Sequence, residues 1–519
     1  MSDARDAGTA DETTRRTVIK ALGSAVVGAA IAPVARSGIA GDRSPGSDSR
    51  ELSTPLYFSS ATALARAIRT KRLSSEEVMR AFLARIRAVN PRIRAVNQVR
   101  WEAAIEEARK ADARLMRRET LGPLHGVPIT IKDSLDTAGI VSTAGTKGRA
   151  QFVPPRDAAV VARLRAAGAI VMAKSNTPEL TLHGFSENLV YERTNNPYDL
   201  GRSPMGSSGG AGAIVAAGGS AFDIGSDTGG SVRIPAHVNG VCGLIPTAGR
   251  IARTGHIISY DTFDQALTTL GPLARYVEDL ETILPVISGA DGVDPFAFDL
   301  PIGDSRAIDI ARLSVAFYVD NGTAKPVASI DKAVRQTAAR LASARARVEE
   351  RRPPGTEEAL DLLMTILGGD GGYAVQRILT ESGTTEVAPY LTGALGDPAR
   401  FDKLALSHRQ FAEFFEKWHD YKSRMTRFFV DYDLMLCPAS AIPAPTHDTD
   451  MKSLELTMLS YTAPFSIAGW PVAVVRVGKS EEGLPIGVQI VGKPFQEHVV
   501  LAAARFLESE FGGFVAPEI

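Results

Sequence analysis

Apolar positions recur along this chain in two periods, and the switching between them predicts its elements. Val78, Phe82, Ile86 and Val89 fall on one helical face. Ser74-Ser75-Glu76-Glu77 before them has the Ser-x-x-Glu spacing of a capping box, and Asn90-Pro91 after them is the expected stop. A second helix is expected over 103–116. Residues 126–133 read as a short β-branched strand ending in charge. A helix over 158–167 followed by a strand over 169–173 repeats the alternation, which argues for the α/β class. From 329 to 427 the pattern is mostly helical, interrupted at Pro353-Pro354-Gly355 and by the glycines at 368–372. This stretch is expected to be a helical insertion over one side of a sheet. Apolar runs over 434–437, 472–477 and 487–492 then read as buried strands. With no internal repeat and no proline-rich linker, the expectation is one large α/β domain over 59–519, a mixed β-sheet core flanked by helices.

The first forty residues follow a different logic. Arg15 and Arg16 are followed by the apolar run 21–32 and then by small residues at 38–40. This order reads as a twin-arginine export signal, with cleavage expected near Ala40. The run is shorter than the roughly 20 residues a bilayer span needs. No cysteine precedes Cys242, so no lipid anchor at a cleaved signal is expected. Residues 41–58 are polar and suit a flexible lead-in. Residues 1–40 thus predict an exported protein, periplasmic or extracellular, that uses the twin-arginine machinery as a partner and has no stable membrane anchor.

Composition narrows the chemistry. Among 519 residues, 58 Lys+Arg balance 59 Asp+Glu, so no basic excess points to nucleic acid. The two cysteines, Cys242 and Cys437, rule out a disulfide framework and a zinc-finger-type site. The eight histidines show no His-Glu-x-x-His or similar spacing, and no cofactor is implied.

Glycine is concentrated where chemistry is plausible. Residues 201–250 hold 13 glycines, against about 4.5 for an even spread of the chain's 47. They surround Met205-Gly206-Ser207-Ser208-Gly209-Gly210 and Gly225-Ser226-Asp227-Thr228-Gly229-Gly230-Ser231-Val232-Arg233. Glycines beside serine let backbone N–H groups turn toward a ligand, where they can stabilise an oxyanion. On the residues alone, other roles stay open. Ser231 could cap a helix starting near Val232. Lys132 could face water at a strand end, and Asp227 with Arg233 could be a structural ion pair. Gly206 to Gly210 also fits Gly-x-Ser-x-Gly, the nucleophile elbow of histidine-based α/β-hydrolases, with Ser208 as nucleophile and His447 or His498 as base.

Taken with Gly122 to Pro128 leading into Lys132-Asp133, with Ile234-Pro235-Ala236 and Pro246-Thr247, and with Ala463-Pro464-Phe465, Gly469-Trp470-Pro471 and Gly483 to Gln489, these motifs resemble the amidase signature family from about Ser59 to Glu508. The resemblance implies a Ser–cis-Ser–Lys triad at Ser231, Ser207 and Lys132. It implies a cis peptide between Gly206 and Ser207, and an oxyanion hole from the N–H groups of Thr228, Gly229, Gly230 and Ser231. Ser208, Asp227 and Arg233 would support the triad. The implied activity is hydrolysis of a small linear carboxylic amide through an acyl-enzyme on Ser231, with esterase or aryl acylamidase activity as related forms. The amidase component of a tRNA-dependent amidotransferase carries the same triad and is the alternative, with the export signal against it. A homodimer is compatible with such a chain. Two departures stand out: Met205 and Ile245 occupy positions where the family commonly has Gly and Lys. The apolar run Leu362 to Leu367 is a candidate wall for the acyl group.

Overall fold

The computed structural model describes residues 50–259, 261, 267–391 and 405–519. The expected export signal lies outside these residues. Eleven strands form one sheet: β1 (Val96–Asn97), β2 (Pro128–Lys132), β3 (Ile170–Ser175), β4 (Phe222–Asp227), β5 (Cys242–Ile245), β6 (Thr269–Ala274), β7 (Ser314–Phe317), β8 (Arg347–Glu350), β9 (Leu434–Pro438), β10 (Val472–Lys479) and β11 (Pro485–Gly492). Their order is β1-β3-β2-β4-β6-β5-β10-β11-β9-β7-β8. β2 runs parallel to β3 and β4, and β7 parallel to β8 and β9; the other pairs are antiparallel, so the sheet is mixed. Every residue of β2, β3, β4, β5, β6, β9 and β11 is buried. Helices cover both faces of such strands, which is why their sequences read as continuous rather than alternating apolar runs.

Local signals explain most boundaries. Ser74 caps the helix Ser75–Ile93 through a complete capping box, its Oγ accepting from Glu77 N and its own N–H donating to the Glu77 carboxylate. The expected stop at Asn90-Pro91 moves three residues on, and the chain leaves the helix at Arg94 with φ +49°. Asn90 Oδ1 accepts from Ala95 N and Val96 N, so its side chain wraps the final turn around Pro91. Ile245 lies buried in β5 opposite Val472, where an apolar side chain fits the sheet.

The stretch 329–427 is not helical throughout. The helix Ala328–Ser343 connects β7 to its parallel neighbour β8, a crossover unit of the sheet itself. The helices that depart from the sheet are Ala359–Gly368, Tyr373–Glu381 and His408–Phe428. β8 escapes the sequence pattern because Arg347-Val348-Glu349-Glu350 is a charged, mostly exposed edge strand with no apolar alternation.

Candidate active site

Parallel neighbours end on the same side of a sheet, and the carboxyl ends of such strands are where α/β proteins gather ligands. Lys132 closes β2, and Gly225-Ser226-Asp227 closes the adjacent β4. Two turns approach these ends: Ser207-Ser208 before the helix Gly209–Ala216, and Ser231 before the helix Arg233–Val238. Lys132 is fully buried, and its Nζ donates to Ser207 Oγ at 2.7 Å, Ser226 Oγ at 2.9 Å and Ser208 Oγ at 3.0 Å. Three hydroxyls match the three donors of a lysine. The alternative of a water-facing lysine is therefore not what folds. Ser226 carries no mark of a site residue in the sequence; only its place on β4 beside Lys132 reveals it.

The Gly206–Ser207 peptide is cis. Met205 before it has φ +58°, in the left-handed region that favours glycine, and its side chain is buried. That backbone conformation explains why a glycine is usual there, and Met205 adds an apolar cluster with Phe185, Ile234, Leu454 and Met458. Gly225 is required by close approach, since a Cβ there would lie 2.6 Å from Ser208 Oγ. Ser208 Oγ in turn donates to Ser226 O at 3.2 Å and accepts from Ser226 N at 3.3 Å. Ser208 is thus a fully buried brace. No strand precedes it, and among the described residues no histidine hydrogen-bonds it, so the nucleophile-elbow arrangement is absent there.

Ser231 is half-buried, and its Oγ has no hydrogen-bond partner among the described residues. It does not cap the helix that follows. Asp227 does so, with Oδ2 accepting from Val232 N at 2.9 Å and Arg233 N at 3.3 Å. Asp227 also pairs with Arg233 Nη2 at 2.8 Å. Arg233 reaches Thr462 O at 2.7 Å, Ser466 Oγ at 2.6 Å and Gln489 Oε1 at 3.3 Å. The buried ion pair thereby ties the Ser231 turn to the last third of the chain. Gly230 has φ +146°, and no hydrogen bond from the N–H groups of Gly229, Gly230 or Ser231 occurs among the described residues. Thr228 Oγ1 pairs with Thr268 Oγ1 at 2.8 Å, and Gly229 O accepts from Thr462 Oγ1.

Burial dominates the electrostatics. It pushes Lys132 from its ordinary 10.5 down to about 7, against the opposing pull of Asp227 and Asp223. Burial also lifts Asp133 and Asp223 to about 6 and lowers Lys174, beside them, to about 8. Burial works against the charge on Asp227 as well, but Arg233 outweighs it and holds that carboxyl below the usual range. Asp223 accepts from Thr130, and Lys174 donates to Leu135 O and Thr137 Oγ1. Nothing in the sequence marks this second buried lysine, because Ile170 to Ser175 reads as an ordinary strand.

An α/β domain with a buried lysine–serine cluster at its strand ends, facing a glycine-rich turn, is that of an amidohydrolase. Comparison with known proteins agrees. The family model described as Amidase matches residues 77–501, and the chain belongs to that family. It is 36% identical over 479 residues to the glutamyl-tRNA(Gln) amidotransferase A-type component of Moorella thermoacetica, covering 87% of this chain and 96% of that one. It is 33% identical over 495 residues to fatty-acid amide hydrolase 2-B of Danio rerio, covering 90% and 92%. Among solved structures, 6-aminohexanoate cyclic dimer hydrolase in complex with substrate superposes with a TM-score of 0.78 at 30% identity, covering 88% of this chain and 97% of that one.

Proposed function

We propose that this amidohydrolase cleaves a carboxylic amide through an acyl-enzyme on Ser231, with Ser207 as proton relay and neutral Lys132 as base. The observation that carries the reading is the 2.7 Å contact between Lys132 Nζ and Ser207 Oγ at a buried lysine lowered to about 7. A neutral amine has two N–H donors and one lone pair. With the donors engaged by Ser208 and Ser226, the lone pair faces the Ser207 hydroxyl. Ser231 Oγ attacks the amide carbon, its proton passes to Ser207 Oγ, and the Ser207 proton passes to Lys132 Nζ. The carbonyl oxygen becomes an oxyanion held by the N–H groups of the Thr228–Ser231 turn. Collapse breaks the C–N bond while the proton returns through Ser207 to the leaving nitrogen. Water then repeats the sequence on the ester and releases the carboxylate. The relatives are named for a tRNA-linked amidotransferase, a fatty-acid amide hydrolase and a cyclic dimer hydrolase; they share amide chemistry and differ in substrate.

Fluorophosphonate labelling followed by peptide mass spectrometry tests this. Label on Ser231 that is lost or greatly slowed in Lys132→Ala supports the assignment. Label on Ser208 that ignores Lys132 overturns it. We also propose export by the twin-arginine route, on the strength of Arg15-Arg16 and the apolar run after them.

A further inference from the structure

The turn before Ser231 is roofed by two leucines from distant parts of the chain. A Cβ placed on Gly229 would lie 3.2 Å from Leu363 Cδ2 and 3.6 Å from Leu459 Cδ2, so both side chains meet this face of the turn at contact range. Leu363 comes from the helix Ala359–Gly368 and is fully buried; its neighbour Met364 is 41% exposed and points elsewhere. Leu459 is half-buried and ends a π-helical segment, Glu455–Leu459. Such wide turns are rare inside helices and recur at functional sites. Here the segment is pinned at both ends. Thr457 O accepts from Ala441 N at 2.7 Å just beyond β9, and Thr462 Oγ1 donates to Gly229 O. The helix that holds the Gly229 carbonyl therefore also fixes Leu459 above it. The nearest charges in sequence, Asp227 and Arg233, are buried and spent on each other.

We propose that Leu459, backed by Leu363, is the acyl-side wall that sets substrate preference, so that the enzyme takes amides of apolar alkyl or aryl carboxylic acids over those with a charged acyl substituent. The inference rests on Ser231 as the nucleophile. An amide whose oxygen meets the Gly229–Ser231 N–H groups runs its acyl substituent along these two side chains. Each methylene buried there is worth about fourfold in kcat/KM, the equivalent of ~0.8 kcal/mol, until Leu459 blocks further growth.

The test is a p-nitroanilide series from acetyl to octanoyl, with benzoyl and succinyl added, on the full chain and on Leu459→Ala and Leu459→Phe. Wild type should gain about fourfold per methylene up to a limit and process succinyl at least tenfold more slowly than butanoyl. Leu459→Ala should move the limit to longer chains and Leu459→Phe to shorter ones. Fluorophosphonate labelling of Ser231 is read in parallel on each protein. Ser231 labelled in all three, with superimposable chain-length profiles, overturns the proposal. No Ser231 label in wild type while a serine elsewhere reacts overturns the nucleophile assignment instead. If either variant loses its label, Leu459→Met and Leu363→Val carry the same comparison, and profiles unchanged in both also overturn it.

Discussion

Replacing Lys132 by methionine is expected to inactivate the enzyme and stabilise it at once. Lys132 is fully buried and falls from 10.5 to about 7, with burial as the leading cause. Below pH 7 both folded and unfolded chains carry the proton, and holding that charge in the interior costs about 4–5 kcal/mol at ~1.4 kcal/mol per unit. Methionine has similar length and no charge to desolvate. Against this gain, Ser207, Ser208 and Ser226 each lose a hydrogen bond worth about 0.5–1.5 kcal/mol. The net stabilisation at pH 7 is therefore about 1–3 kcal/mol. Its pH dependence has a definite sign. Between pH 7 and 10.5 the unfolded wild type binds more protons than the folded one, so wild-type stability rises with pH in that window. The gain from removing the charge should be full below pH 7, smaller by about 2 kcal/mol at pH 9, and gone above 10.5, where only the lost hydrogen bonds remain. Urea unfolding of both proteins at pH 6, 7, 8 and 9, followed by tryptophan fluorescence, measures the gap. A gap constant from pH 6 to 9, or one that moves further in the variant's favour as pH rises, would refute the reasoning.

Three further outcomes are expected. In wild type, kcat/KM should rise with pH through a single deprotonation near 7 and fall about tenfold per unit below pH 6, because only neutral Lys132 accepts the relayed proton; a flat profile from pH 5 to 9 counts against the lysine base. Asp227→Asn leaves the Arg233 guanidinium buried without its counter-charge and should cost about 3–5 kcal/mol, read as a lower thermal midpoint, with Ser231 labelling reduced in the fraction that folds. For export, changing Arg15 and Arg16 to Lys should keep the protein in the cytoplasm, whereas the wild type outside it should begin near residue 41 by intact mass.

How much of this site is legible in the sequence follows from which interactions are local. Lys132, Ser207 and Ser231 lie inside contiguous motifs whose order survives without coordinates. The Ser74 capping box is legible for the same reason, since its donor and acceptor are three residues apart. Ser226 and Lys174 are not legible. Their roles come from β2 having β3 on one side and β4 on the other, a pairing no short window of sequence contains. Asp227 illustrates a subtler limit: its residue type suggests an ion pair, but only the fold shows that it takes the helix-capping role that Ser231 could have had. The charged edge strand β8 and the π segment at Leu459 escape notice because each breaks the periodicity by which elements are recognised.

The strand order also sets a timetable. β10 and β11 are the last strands to leave the ribosome, yet they sit in the middle of the sheet, joining β5 on one side to β9 on the other. Arg233 draws on the same late segments, through Thr462, Ser466 and Gln489. A nascent chain that has already made Lys132, Ser207 and Ser231 thus holds the reactive groups without the frame that aligns them. Acyl transfer in this protein waits for residue 489, so a chain cut short anywhere before that point carries the motif and lacks the enzyme.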